Sequence, residues 1–308
     1  ASGLQAIMDS TRAIANGDAE LMIAGGVESM SRAPFVMPKQ TDAFGRKAEL
    51  YDTTLGWRFL NSRLSELYHP YSMGETAENV AKQWNISRLA QDQFALQSQA
   101  KYAAAKAAGK WADEIVPVDA VQGKQVIVVE GDEHPRETSI EQLAKLKPAF
   151  AVDGTVTAGN SSQTSDGTAF VVVMSERLMK SLGLEPVARM MSYSVAGVDP
   201  RIMGIGPKEA VPKALKQAGL TLNDIDLIEL NEAFAAQGLA VMKSLEMNPD
   251  IVNVNGGAVA LGHPLGCTGA KLSIQIFNEL RRQNKKYGLV TACVGGGQGV
   301  AGIYELLK

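Results

Sequence analysis

The sequence predicts an α/β fold, and three observations carry that expectation. Apolar runs of strand length, at 168–174, 188–198, 225–230, 287–293 and 299–306, alternate with amphipathic stretches. Glycine is abundant, at 30 of 308 residues, and clusters in short runs beside those strands, which marks sites built from backbone. The two ends also echo each other. Ser2-Gly3, a helix and Ile23-Ala24-Gly25-Gly26 resemble Thr268-Gly269, a helix and Thr291-Ala292-Cys293, which points to a duplicated half-domain.

The first element is an amphipathic helix over 3–16, with Ser2 as its N-cap and Leu4, Ile7, Met8, Thr11 and Ile14 along one side. Gly17-Asp18 ends it, and Glu20-Leu-Met-Ile-Ala24 reads as a buried strand. Residues 34 to about 150 are polar and mixed, an excursion from the core and not a βαβ unit. They hold helices at 75–86 and 88–108, the second capped by Ser87, and a strand pair at 114–118 and 125–129. Core texture returns with the small-residue loop Thr157-Ala-Gly-Asn160-Ser-Ser162 and the strand after Asp166-Gly167. Ser175 starts a helix. Pro207 stands in the first turn of the next, which ends at Gly219. Asn231-Glu232 opens another helix. A strand at 252–255, a helix over 268–284 and the last two strands complete the chain.

Composition excludes several classes. A formal net charge of -3 gives no global attraction to nucleic acid or to an acidic membrane surface, and no apolar run reaches the length of a membrane span. Two cysteines in 308 residues argue against a disulfide scaffold and for a reducing compartment, so a cytoplasmic location is expected. The chain opens on Ala1-Ser2-Gly3 with no Met and no signal pattern. It reads as cut, against the alternative of a natural start after Met removal.

Three short segments in the last third stand out for their polar side chains, the last two beside glycines: Asn231-Glu-Ala-Phe234, Gly262-His263-Pro264, and Cys293-Val-Gly295-Gly-Gly-Gln-Gly299. Alone, Asn231 reads as a helix cap, His263 as a satisfied core histidine and Cys293 as an inert buried thiol. Together, a carboxamide, an imidazole and a thiol make a toolkit for acyl transfer. His263 and Cys267 lie four apart as two metal ligands might, but Pro264 and Gly266 break a helix there and no further ligands cluster, so no metal is expected. The Gly295–Gly299 run is not a dinucleotide loop, because only nine residues follow it.

These segments resemble the three C-terminal signatures of the thiolase family. Ala24-Gly25-Gly26-Val27-Glu28-Ser29-Met30-Ser31, Met73-Gly-Glu-Thr-Ala-Glu78-Asn79 and Thr157-Ala-Gly-Asn-Ser-Ser162 match further family segments, so the similarity runs over the whole chain. The Gly-His-Pro-Leu-Gly-Cys-Thr-Gly-Ala form resembles degradative 3-ketoacyl-CoA thiolases more than acetoacetyl-CoA synthases. The resemblance implies a layered αβαβα fold of two similar halves with an inserted loop domain, the first half incomplete. On that plan residues 1–33 and 156–185 belong to the N-terminal half, 34–155 to the CoA-binding insertion and 186–308 to the C-terminal half.

The implied activity is thiolytic cleavage of 3-oxoacyl-CoA to acetyl-CoA and a shortened acyl-CoA, in the setting of fatty acid β-oxidation. CoA and acyl-CoA are substrates there, and no cofactor is expected. His263 would activate the nucleophilic cysteine and, with a water held by Asn231, form an oxyanion hole. Cys293 would be the acid/base at the acetyl carbon, and the Gly295 N–H would serve a second oxyanion hole. Ser162 would touch the pantetheine, and Arg136 could meet a CoA phosphate. Met73, Phe150, Met203 and Phe234 would line the acyl and pantetheine tunnel. The family nucleophile lies in a Cys-x-Ser-Gly segment, of which Ala1-Ser2-Gly3 is the x-Ser-Gly. The expectation is therefore a chain that starts just after its nucleophile and leaves core surface uncovered. A homodimer or homotetramer is implied, with the missing part supplied by a separate N-terminal fragment or lost. An acetoacetyl-CoA-forming acetyltransferase and a catalytically dead acyl-CoA binder stay open as alternatives.

Overall fold

A computed structural model describes residues 1–307. Helix α1 (Ser2–Asn16) buries Leu4, Ile7 and Met8, and Gly17 closes it in the left-handed conformation. Ala1 is its N-cap and Ser2 is already helical, with no side-chain cap bond, so the expected Ser2 cap is one residue late. Strand β1 (Leu21–Ser29) pairs antiparallel with the later β6 (Asp166–Met174) as a two-stranded ribbon. It is not the buried strand expected. Only one face of the ribbon is covered, and Ile23 and Val27 on the other are 69% and 67% exposed.

Between them lies the excursion. It contains β2 (Phe35–Val36) with β3 (Tyr51–Asp52), then α2 (Ser62–Leu67), α3 (Met73–Gln83) and α4 (Arg88–Ala107). The hairpin β4 (Val118–Gln122) and β5 (Gln125–Val129) and a short α5 (Ile140–Ala144) follow. Ser72 and Glu75 close a capping box on α3, and Ser87 caps α4 by accepting from the Ala90 amide. The expected first hairpin strand at 114–118 is displaced to 118–122. Pro117 has no amide to give a ladder, and the turn sits at Gly123, which pins the register.

After β6 and α6 (Glu176–Ser181), the C-terminal half forms one mixed sheet. Its strands are β7 (Ala188–Gly197), β8 (Leu227–Leu230), β9 (Tyr287–Val294) and β10 (Gln298–Leu306), in the order β7-β10-β9-β8. Helix α7 (Gly206–Ala218) and α8 (Ala235–Leu245) pack on one face through Val211, Ala214, Ile228, Leu230, Val241 and Ile303. On the other face α1 and α10 (Thr268–Arg282) pack through Leu4, Met8, Leu272, Ile276 and Val290. A one-turn α9 (Ala258–Leu261) precedes α10. The expected strand at 252–255 reduces to a single bridge from Val252 to Ile228, because Asn253 turns to φ 46° and spends its side chain on the end of β8.

Helices α1 and α10 also cover the inner face of the β1–β6 ribbon, where Ile7 and Ala270 meet Ala24, Ala169 and Val171. The layers therefore run α7/α8, four-stranded sheet, α1/α10, two-stranded ribbon. Gly3 and Gly269, matching positions of the sequence echo, face each other where the two central helices cross. A Cβ on Gly269 would lie 2.1 Å from the Leu4 nitrogen, and one on Gly3 would lie 2.9 Å from the Ala270 nitrogen. Only glycine allows that approach.

Candidate active site

The site forms where β8, β9 and the start of α1 converge at the ends of the central layers. Strand β8 delivers Asn231, whose amide donates to the Thr291 carbonyl and whose side chain is 1% exposed. The helix-cap reading of Asn231 fails, because α8 begins at Ala235 with Phe234 as its N-cap. The Asn231 carboxamide points instead at His263, with Nδ2 3.3 Å from Nε2. The imidazole Nδ1 lies 2.6 Å from Thr268 Oγ1, at the first turn of α10. Asn231 Nδ2 can only donate, so Nε2 accepts there, and the Thr268 hydroxyl, 3.0 Å from the Pro264 carbonyl, accepts from Nδ1–H. The tautomer follows from that inventory: Nδ1 carries the proton, and Nε2 presents a lone pair with Asn231 Nδ2–H beside it. Asn231 Oδ1 is buried and takes no hydrogen bond from the protein. A buried acceptor of this kind is suited to an outside donor.

Cys293 lies at the end of β9 and is 7% exposed. Burial pushes its thiol up to about 11. Burial also pulls His263 down to about 3, helped by Lys271, whose Nζ lies 3.5 Å from the Gly262 carbonyl. Ala1 and Val294 both pack against the cluster that holds Leu4 and Val300, which brings the start of α1 to the end of β9. At neutral pH His263 is a neutral imidazole with a free nitrogen and Cys293 keeps its thiol proton, and Asn231 joins their segments by bonding Thr291, two residues before Cys293 on β9.

The apolar wall is one cluster. Cys293 packs with Ala77, Val156, Met203, Ala233 and Phe234, and Met73 closes against them. Phe150 meets Phe234 edge-on, with ring centroids 6.1 Å apart. Gly295 begins the three-residue turn between β9 and β10, in which Gly296 and Gly297 take φ of 84° and 92°. A Cβ on Gly295 would lie 3.5 Å from Met73 Sδ, so the thioether covers this exposed backbone. The structure thus brings Met73, Phe150, Met203 and Phe234 together with Cys293 and Gly295.

Of the two remaining expected contacts, Ser162 borders this cluster and Arg136 lies away from it. Ser162 donates both its amide and its hydroxyl to the Ala233 carbonyl, each at 3.0 Å, so it ties its loop to the Asn231 segment. Arg136 is exposed, and its Nε donates to the His134 carbonyl at 3.2 Å, outside this cluster. Sequence reasoning missed Thr268 and Glu232 as parts of the site. Thr268 entered it only through the echo between the chain ends, although a hydroxyl at a helix start five residues after His263 was a usable signal.

A model of the thiolase N-terminal domain matches residues 1–177, and one of the thiolase C-terminal domain matches residues 184–306. The chain belongs to the thiolase family. The β-ketoadipyl-CoA thiolase of Escherichia coli is 52% identical over 308 residues, covering 99% of this chain and 77% of the relative. The acetyl-CoA acetyltransferase of Chromobacterium violaceum is 49% identical, over 97% and 76%. Among solved structures, the acetyl-CoA acetyltransferase of Bacillus anthracis superposes with a TM-score of 0.93 at 44% identity, covering 99% of this chain and 77% of that one. Human mitochondrial 3-ketoacyl-CoA thiolase gives 0.92 at 44% identity, with the same coverage. This thiolase is thus an acyltransferase that handles CoA thioesters. Among its described residues no helix is long and apolar enough to cross a membrane. The expected fatty acid β-oxidation setting gains no support, since several similar relatives are named β-ketoadipyl-CoA thiolases.

Proposed function

We propose that this thiolase cleaves a 3-oxoacyl-CoA carrying a distal carboxylate, of the 3-oxoadipyl-CoA type, to acetyl-CoA and a shortened acyl-CoA. The observation that carries the chemistry is the Thr268–His263–Asn231 relay, joined through the Asn231 amide to β9 two residues before the protonated Cys293 and its apolar wall. A thiol at the position before Ala1 would stand at the N-terminus of α1, where the helix dipole favours thiolate. His263 Nε2 takes its proton, and the sulfur attacks the 3-oxo carbon. The C2–C3 bond breaks, leaving an acyl-enzyme and the acetyl-CoA enolate. Cys293 gives its proton to C2 of that enolate. The thioester oxygen of the enolate takes donors from His263 and from a water held by Asn231, and the Gly295 N–H serves the tetrahedral oxyanion at the acyl sulfur. His263 passes the nucleophile's proton on to the Cys293 thiolate and then takes the proton of a second CoA thiol. That thiolate attacks the acyl-enzyme carbonyl, the nucleophile sulfur leaves and recovers the proton from His263, and the shortened acyl-CoA departs.

In the same proposal Met73, Phe150, Met203 and Phe234 line the acyl and pantetheine path, Ser162 contacts the pantetheine and Arg136 meets a CoA phosphate. A homodimer or homotetramer also belongs to it, supported by the exposed apolar surface of Phe35, Met37 and Phe44.

The substrate assignment rests on relatives named for β-ketoadipyl-CoA and, at 51% identity in Escherichia coli, for 3-oxoadipyl-CoA and 3-oxo-5,6-dehydrosuberyl-CoA. An acetoacetyl-CoA-handling enzyme is the second reading, favoured by the 49% identical acetyl-CoA acetyltransferase. Thiolysis of 3-oxoadipyl-CoA, 3-oxohexanoyl-CoA and acetoacetyl-CoA separates them, measured on the chain extended by Cys before Ala1. The expected result is a kcat/KM at least about tenfold higher for 3-oxoadipyl-CoA. Preference for acetoacetyl-CoA would support the second reading.

A further inference from the structure

Glu232 follows Asn231 directly, is 2% exposed, and has no part in the chemistry above. Its Oε2 accepts from Ser98 Oγ at 2.8 Å and from the Val259 amide at 3.1 Å, and its Oε1 accepts from Asn253 Nδ2 at 2.8 Å. Each donor belongs to a different part of the molecule. Ser98 is on α4 of the inserted region, and its Oγ also accepts from the Gly257 amide at 3.0 Å. Val259 is in α9, four residues before His263. The Asn253 carboxamide holds both the N–H and the C=O of Leu230, each at 2.8 Å, one residue before Asn231. The 256–259 segment lies directly on the carboxylate: a Cβ on Gly257 would stand 2.2 Å from its carbon.

We infer that Glu232 is a positioning residue that fixes the spacing of Asn231 and His263 and ties that spacing to α4 of the inserted region. A carboxylate fits the place because all three partners donate to it. A glutamine would turn an NH2 toward at least one of them, and Asn253 cannot rotate to compensate without giving up Leu230. The 3.3 Å contact between Asn231 and His263 would then lengthen or open. Displacements of about 1 Å at such a contact cost on the order of 10²-fold in rate.

The inference rests on the thiolase reading for its kinetic consequence, and a spectroscopic readout separates the two. The chain has three histidines, so the imidazole 15N signals of His263 can be assigned by elimination with His69 and His134 variants. In the unsubstituted chain they should report one tautomer with Nδ1 protonated. In Glu232→Gln they should report a mixture, and in the active enzyme kcat should fall about 10²-fold while KM for CoA stays within about twofold. Ser98→Ala, which removes one donor from a distant helix, should shift the same signals and lower kcat by about tenfold. Should Glu232→Gln fail to fold, Ser98→Ala decides alone. Unchanged His263 signals with unchanged kcat in Ser98→Ala would overturn the inference. So would a Glu232→Gln loss equal to its loss of folded protein. Absence of thiolysis in the unsubstituted enzyme would sink the thiolase reading, while the His263 signals would still decide the clamp.

Discussion

At neutral pH His263 carries no charge and Cys293 keeps its proton, and burial is the first cause of both. The two shifts limit stability from opposite ends of the pH scale. Below the ordinary histidine value of 6.5 the unfolded chain binds a proton that folded His263 refuses until about 3, so stability falls as pH drops through that window. Above the ordinary thiol value of 9.0 the unfolded chain releases a proton that folded Cys293 holds until about 11, so stability falls as pH rises there. Urea midpoints across pH should show the acid limb flatten in His263→Asn. An acid limb as steep as the parent's would place the sensitive group elsewhere. Thr268 gives a second check at this scale. Thr268→Val keeps the shape but removes the acceptor for His263 Nδ1–H, and kcat should drop about tenfold to 10²-fold with KM nearly unchanged. A parental kcat would show that the tautomer is set by some other group.

Among the elements, the central helix pair matters most, because α1 and α10 each carry one end of the site. Their crossing at Gly3 and Gly269 leaves no room for a methyl group. Gly269→Ala should destabilise the fold by about 1–3 kcal/mol, read from the denaturant midpoint at constant slope. A midpoint shift near zero would mean that the helices can separate without loss. Strands and capped helices were largely legible in the sequence, since period, caps and Gly or Pro boundaries are local signals: Ser87, Ser175, Pro207 and Gly219 all sit where they were expected. The misplacements come from tertiary context. Whether β1 is buried depends on what covers a ribbon face, and Asn253 leaves the strand conformation to hold Leu230. The start of α8 slid from Asn231 to Ala235 because the Asn231 and Glu232 side chains are spent on His263, Ser98, Asn253 and Val259.

Across the whole molecule the two halves differ in cover. The C-terminal sheet lies between α7/α8 and α1/α10, whereas the β1–β6 ribbon has helices on its inner face only. Three short motifs, about thirty residues apart, were enough to expect a site, because each lies near a strand end or a helix start. The wall of Met73, Phe150, Met203 and Phe234 was not legible from spacing, since it joins segments up to about 160 residues apart; Met73 and Met203 stood out as methionines in Gly-containing loops, and Phe150 and Phe234 came into view through the family resemblance. The central claim is a division of labour between two thiols, with Cys293 moving the proton and a different cysteine carrying the acyl group. The most direct measurement compares the chain extended by Cys before Ala1 with its Cys293→Ala variant, using intact mass after acyl-CoA and then turnover. The account predicts that the variant still gains one acyl group while condensation and thiolysis fall by about 10²–10⁴-fold. Turnover within about tenfold of the parent, or loss of the acyl adduct, would contradict it.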